Sequence, residues 1–320
     1  MLAGGGSALG GGERGRVRAA RRPARRVQRR PGAVIPTTIR RAAHAHRGVR
    51  LGDGRAVHRP RADRGGPRGL RSLRRAYALI RTLFFYVVLF VSTIVHGIAA
   101  ILAGIFRVTN RRVYDWGTQD WARWNLWAAG TPLDVQGLER VPRGTPVVYA
   151  SNHSSMFDIW ALSLVLPGST RFVAKHELTR IPVMGPAMLR AGHVTIDRFN
   201  RKRAFEAYDR AATTIKSGIS TIVFPEGTRS RTGELLPFKN APFGLAIAAQ
   251  VPIVPVYVHN TFQILPKGRW RLRRLPIRIR IGAPIPTAGL TLDDRETLRD
   301  RVRAAIEALR ARVDSTAADP

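Results

Sequence analysis

Residues 147–158 read Val-Val-Tyr-Ala-Ser-Asn-His-Ser-Ser-Met-Phe-Asp: a short apolar run breaks into small polar residues and then enters a helical pattern. A run of that length rich in β-branched and aromatic residues is a buried strand, Val147–Ala150, and the helix predicted next covers Asp158–Leu166. In α/β folds the end of a strand that feeds a helix is where chemistry is placed. His153 in the turn and Asp158 in the first helical turn are five residues apart. The carboxylate can therefore reach one imidazole nitrogen and leave the other facing outward, as the acid and base of a Ser-His-Asp triad do. The third member is missing. A substrate hydroxyl would make it unnecessary, and the pair would then be a general base. Plainer readings are a turn histidine at His153 and a capping box between Ser155 and Asp158.

On either side of this stretch the same pattern repeats. Arg171–Ala174, Val194–Ile196, Thr221–Phe224, Ile253–Val258 and Ile277–Ile281 read as strands; Val183–Arg190, Arg201–Lys216 and Ala241–Ala249 read as helices between them. Alternating strands and helices predict an α/β domain over 131–320, a mainly parallel sheet flanked by helices. Ile277-Arg-Ile-Arg-Ile281 alternates strictly, which predicts a place near an edge with Arg278 and Arg280 facing away from the core. Leu298, Val302, Ile306, Leu309 and Val313 form one stripe of a terminal helix, opened by Thr291 and Asp294 as a capping box.

A second polar turn ends the strand at Phe224: Phe224-Pro-Glu-Gly-Thr-Arg-Ser230. Pro225 fixes the turn, Gly227 permits close backbone approach, and Arg229 offers a planar fork of donors suited to phosphate. Alone, the segment could also be a solvated turn in which Glu226 and Arg229 pair.

The amino-terminal third has a different character. The 320-residue chain carries 54 Lys and Arg against 21 Asp and Glu, a formal charge of +33, and has no Cys. Disulfides, thiolate nucleophiles and Cys-ligated metals are thereby excluded. Residues 1–76 hold 21 Arg, no Lys and three acids, and are expected to be disordered, either as a basic tail or as sequence upstream of the true start. Residues 77–130 are expected to hold membrane and interfacial helices. Leu83–Phe106 is 24 residues without a formal charge, long enough as a helix to cross a hydrocarbon core or to dip into one leaflet. Trp116, Trp121, Trp124 and Trp127 follow within twelve residues, either at a headgroup layer or packed on the α/β domain. Lys267-Gly-Arg-Trp-Arg-Leu-Arg-Arg274 has five basic residues and no acid, and reads as a solvated loop or a headgroup contact.

Taken together, Asn152-His153 to Asp158, Gly192-His-Val-Thr-Ile-Asp-Arg198, Phe224 to Arg229 and Val251-Pro-Ile-Val-Pro255 resemble, in order, the four blocks of the glycerolipid acyltransferases, the 1-acylglycerol-3-phosphate acyltransferase family. The resemblance covers about residues 80–285. It implies an α/β domain with a membrane-embedded helical segment at its start. The implied reaction moves a fatty acyl group from a thioester, acyl-CoA or acyl carrier protein, to the 2-hydroxyl of lysophosphatidic acid, giving phosphatidic acid at the cytoplasmic face of the cell membrane. His153 and Asp158 take the catalytic places. Glu226, Gly227, Thr228 and Arg229 match the block associated with binding the acceptor phosphate, Arg198 matches the basic residue of the second block, and Lys175 is a further phosphate contact. No metal or resident cofactor is implied. Readings weighed beside it are a lyso-ornithine lipid or glycerol 3-phosphate as acceptor, an acyl-enzyme on Ser154 or Ser155 and, from another class, a basic nucleic-acid-binding protein. His96, His176, His193 and His259 lack metal-like spacing and are expected in packing or surface roles.

Overall fold

A computed structural model describes residues 68–197 and 201–318. The described residues begin with two helices, α1 (Arg68–Ile105) and α2 (Arg111–Ala129). Then follow β1 (Leu133–Gln136), β2 (Val148–Ser151), α3 (Phe157–Val165), β3 (Thr170–Lys175), α4 (Met184–Arg190) and β4 (Val194–Ile196). The remainder is α5 (Arg201–Lys216), β5 (Ser220–Val223), α6 (Ala241–Ala249), β6 (Ile253–His259), α7 (Thr261–Ile264), β7 (Ile277–Ile281) and α8 (Arg295–Ala318). The helix expected from Leu83 is longer at its start, since α1 begins at Arg68.

The strands form one seven-stranded sheet in the order β1-β7-β6-β2-β5-β3-β4. Neighbours are parallel except β6 and β7, where Val256 stands opposite Ile281 and His259 opposite Arg278. The central strand β2 lies between β5 and β6, with Val148 in register with both Thr221 and Ile253. Side chains alternate between two cores, as a period of two requires. Val147, Tyr149, Val254, Val256 and Val258 face α1–α3, where Phe157 and Trp160 are fully buried. Val148, Ala150, Val223, Ile253 and Tyr257 face α5, α6 and the α8 stripe Leu298–Val302–Ile306–Leu309–Val313. The Thr291–Asp294 capping box expected ahead of that stripe is present.

The edge beyond β7 differs from the sequence reading. The edge strand is β1, Leu-Asp-Val-Gln, too short and too polar to read as a strand on its own. It pairs in parallel with β7, so Ile277–Ile281 lies one place in from the edge. Arg280 is correspondingly buried, its Nη2 donating to Asp134 Oδ2 at 2.8 Å across the pair. A buried guanidinium needs such a partner, and the strand that supplies it also covers it. Gly137, just past β1, has φ +89°, and a Cβ there would lie 2.2 Å from the Ile281 carbonyl oxygen, so the turn admits glycine alone.

Residues Arg75–Ile105 of α1 are long and apolar enough to cross a membrane, and most of their surface is open. One side docks on the α/β domain: Phe85 is fully buried, stacked on Phe157 at 5.6 Å and edge-on to Trp160 at 5.8 Å. Between the two helices, Trp121 Nε1 donates to Thr93 Oγ1 and Asn125 Nδ2 to Ser92 Oγ, each at 3.1 Å. The tryptophans divide: Trp121 packs edge-on against Trp160, while Trp116, Trp124 and Trp127 are exposed. The basic loop 265–276 is tied to α1, because Tyr86 Oη donates to the Trp270 carbonyl (3.1 Å) and Leu272 N–H to Thr82 Oγ1 (3.3 Å).

Candidate active site

At the carboxyl end of β2 the sheet ladder is continued by a side chain. The Asn152 amide donates to the Val258 carbonyl at 2.9 Å and accepts from Val258 N–H at 2.7 Å, which fixes where the chain leaves the sheet. The turn that follows wraps around one carboxylate oxygen. Asp158 Oδ2 accepts from Ser154 N–H (2.7 Å), Ser155 N–H (2.8 Å) and His153 Nδ1 (2.8 Å). Asp158 therefore holds the histidine and also accepts from Ser155 N–H, which is half of the capping box; the other half is not formed, since the Ser155 hydroxyl is turned to the Leu265 carbonyl. An ionised carboxylate only accepts, so Nδ1 carries the proton and Nε2 presents its lone pair. Among the described residues Nε2 has no hydrogen-bond partner, and the imidazole lies flat on Phe224 at 3.9 Å between ring centroids. Asp158 is fully buried.

The Phe224–Arg229 turn packs directly against this loop. Glu226 is buried, with Oε1 accepting from His153 N–H at 2.9 Å and Oε2 from Leu236 N–H at 3.0 Å. Ser230 N–H donates back to the His153 carbonyl at 2.8 Å. The Glu226 carboxylate thus ties main chain to main chain and does not pair with Arg229. Desolvation raises its pKa to about 7, against the lowering effect of its two N–H donors. Gly227 has φ +74°, and a Cβ there would press on Lys239 Cε at 3.0 Å.

Cations collect beside the turn. Thr228, Arg229, Arg231, Thr232, Leu236 and Lys267 line a cavity of about 310 Å³, and Lys267 Nζ stands 3.4 Å from Thr228 Oγ1. The Lys267 ammonium is held below the ordinary lysine value by desolvation and then by repulsion from Arg231, Arg229 and Lys175, which places all four charges in one field. Lys175 is at the end of β3. Arg198 lies outside the described residues. The loop bearing Lys267 is anchored to the histidine turn, since the fully buried Ser155 hydroxyl donates to the Leu265 carbonyl at 2.8 Å. Arg231 and Lys267 belong to this cluster although no motif marks them; the signal for Lys267 was its place in a stretch with five basic residues and no acid, and Arg231 had none. His193 is structural: it accepts from Phe172 N–H at 3.0 Å and burial pushes it down to about 3, so it stays neutral.

The main-chain N–H groups of 153, 154 and 155 are committed to carboxylates, and Ser155 Oγ to a carbonyl, so none of these groups is free to stabilise an oxyanion or, at Ser155, to act as a nucleophile. What remains is an imidazole held through Nδ1, on a turn bonded to the one that carries Arg229, on a sheet backed by an apolar helix. A site of this make-up suits group transfer to a hydroxyl carried by an anionic substrate. A family profile described as Acyltransferase matches residues 132–259. The 1-acyl-sn-glycerol-3-phosphate acyltransferase alpha of Homo sapiens is 38% identical over 175 residues, 54% of this chain and 62% of that protein. The Caenorhabditis elegans protein acl-2, to which the same activity is ascribed, is 32% identical over 226 residues, 70% of this chain and 78% of its own length. The crystal structure of the 1-acyl-sn-glycerophosphate (LPA) acyltransferase PlsC from Thermotoga maritima superposes with a TM-score of 0.65 at 26% identity, covering 77% of this chain and 99% of that one. The chain belongs to this acyltransferase family. It spans about half to three-fifths of the length of several of the curated relatives it matches.

Proposed function

We propose that the protein transfers a fatty acyl group from a thioester, acyl-CoA or acyl carrier protein, to the 2-hydroxyl of 1-acyl-sn-glycerol 3-phosphate, giving phosphatidic acid for phospholipid synthesis at the cytoplasmic face of the membrane. The observation that carries this is the His153–Asp158 pair set beside Lys175, Arg229, Arg231 and Lys267. His153 Nε2 takes the proton of the acceptor hydroxyl as that oxygen bonds to the acyl carbon. The carbon–sulfur bond then breaks, and the proton passes from the imidazolium to the leaving thiolate. Asp158 stabilises the imidazolium and keeps Nδ1 turned inward. The cations hold the acceptor phosphate so that the hydroxyl is presented to the base, which removes orientational freedom before the reaction. Four cations suit a phosphomonoester better than a lyso-ornithine lipid, which has no phosphate. The open apolar surface of α1 supports a membrane location for substrate and product.

The test is acyl transfer by the purified chain with a panel of acceptors: lysophosphatidic acid, glycerol 3-phosphate and a lyso-ornithine lipid. Lysophosphatidic acid should be the best acceptor, and His153→Ala should lower its turnover by about 10²–10⁴. Transfer undiminished in that variant refutes the assignment of the base.

A further inference from the structure

A second group of arginines lies away from the cation cluster just described. Arg81 of α1 and Arg274 of the 265–276 loop converge on Gly130, the left-handed residue that closes α2. Arg274 Nε donates to the Gly130 carbonyl at 3.1 Å, and a Cβ built on Gly130 would find Arg81 Nη2 at 3.2 Å and Arg274 Nε at 3.6 Å. The two guanidinium groups are near enough to repel one another. Arg81 Nη2 is buried with no hydrogen-bond partner. Among the described residues neither arginine forms an ion pair with a carboxylate. A buried donor left unmade and two like charges held together are both costly unless an anion joins them.

Beside them runs an open apolar groove of about 370 Å³, floored by Leu126, Pro132, Leu133 and Leu164 and walled by Trp127, with Arg274 and Arg123 at its rim. Arg123 is already paired with Asp120 at 2.9 Å. Trp127 is 68% exposed, and Phe84 of the apolar helix meets it edge-on at 5.8 Å, so the groove opens onto the surface that α1 would turn to a bilayer. A charge-complementary pair next to a hydrocarbon-lined groove fits one class of ligand. From these contacts we infer a lipid-binding site in which an anionic phospholipid of the bilayer sets its headgroup phosphate between Arg81 and Arg274 and lays an acyl chain along Trp127 and Leu133. The site is separate from the catalytic one: β1, whose start it borders, is three strands from β2, roughly 14 Å at ordinary strand spacing. Its phosphate bridges α1, the end of α2 and the basic loop, so the lipid joins the membrane helices to the α/β domain. The inference does not rest on the acyl-transfer reading.

The test uses the full chain in neutral detergent, titrated with short-chain phosphatidylglycerol, with thermal unfolding as the readout. Wild type should be stabilised saturably by phosphatidylglycerol and much less by phosphatidylcholine of the same chain length or by inorganic phosphate. Arg274→Gln, which keeps a donor for the Gly130 carbonyl, should move the titration midpoint to about tenfold higher lipid. Arg301→Gln, an exposed charge on α8, and Arg229→Ala, in the cation cluster, should titrate like wild type. Equal midpoints for Arg274→Gln and Arg301→Gln would overturn the site. So would equal stabilisation by inorganic phosphate, or loss of the effect in Arg229→Ala, which would assign the lipid to the catalytic centre.

Discussion

The main-chain N–H of His153 donates to the carboxylate of Glu226 at 2.9 Å, joining the histidine's turn to the turn that carries Arg229. The same carboxylate holds Leu236 N–H through its other oxygen. We propose that Glu226 is a positioning residue, since both its carboxylate oxygens are occupied by main-chain donors that fix the two turns against each other. Glu226→Gln places an amide NH₂ against one of two backbone N–H donors, and turnover should fall about tenfold or more while the acceptor KM changes less. A larger effect on KM than on kcat would show that the residue contacts the acceptor instead.

Glu226 also makes stability depend on pH. Its pKa rises from an ordinary carboxyl value to about 7 in the folded protein, so the folded state binds the proton more tightly than the unfolded one. By linkage, this group's contribution is most favourable below the unfolded value near 4.5 and is lost as pH climbs to about 7, a change on the order of 3 kcal/mol. Thermal unfolding of wild type compared with Glu226→Gln across that range should show the difference between them shrink or reverse with rising pH. Parallel curves would contradict it.

Asp158→Asn should leave the fold largely intact, because one amide oxygen can still receive Ser154 and Ser155 N–H. The imidazole loses its fixed proton position and its counter-charge, and turnover should drop by roughly 10²–10⁴. Circular dichroism and steady-state rates on the same preparation check both halves.

Lys267→Ala and Arg229→Ala should each raise the acceptor KM by about 10- to 100-fold, the size expected for losing a charge-assisted hydrogen bond, and leave the donor KM near its original value. Comparable increases for the thioester donor would place the cluster on the wrong substrate.

Phe85→Ala empties the contact between α1 and the aromatic pair Phe157 and Trp160. The expected cost is about 3–5 kcal/mol of the docking between helix and domain. Limited proteolysis between α1 and the sheet should accelerate strongly; unchanged cleavage would mean the helix is held by its other contacts.

Much of this was legible before the structure. The runs at 147–150 and 253–258 are apolar on both faces, and such strands announce a parallel sheet wherever they occur. His153 and Asp158 are joined by a local turn, so their spacing allowed the contact, and the four blocks taken together singled it out from the plainer readings. What stayed hidden depends on partners distant in sequence. β1 is a strand through its parallel pairing with β7, to which the Asp134–Arg280 bond across 146 residues adds, and nothing in Leu-Asp-Val-Gln records that. Glu226 reads in sequence as part of an anion site because its turn matches the block associated with phosphate binding; the two main-chain donors on its carboxylate leave no mark in a sequence. Lys267 reaches the cluster through contacts distant in sequence, among them the Ser155–Leu265 bond and the ties of its loop to α1.

That loop is fastened at both ends. Leu265 is bound to the turn of His153, and Trp270 and Leu272 are bound to α1. Arg273 N–H donates to the Ile264 carbonyl at 2.9 Å, so the stretch closes on itself as a staple between α1 and the α/β domain, with Lys267 part-way round it. A displacement of α1 against the sheet would therefore pull at Thr82 and Tyr86 on the same closed loop that carries Lys267 and that Ser155 holds at Leu265.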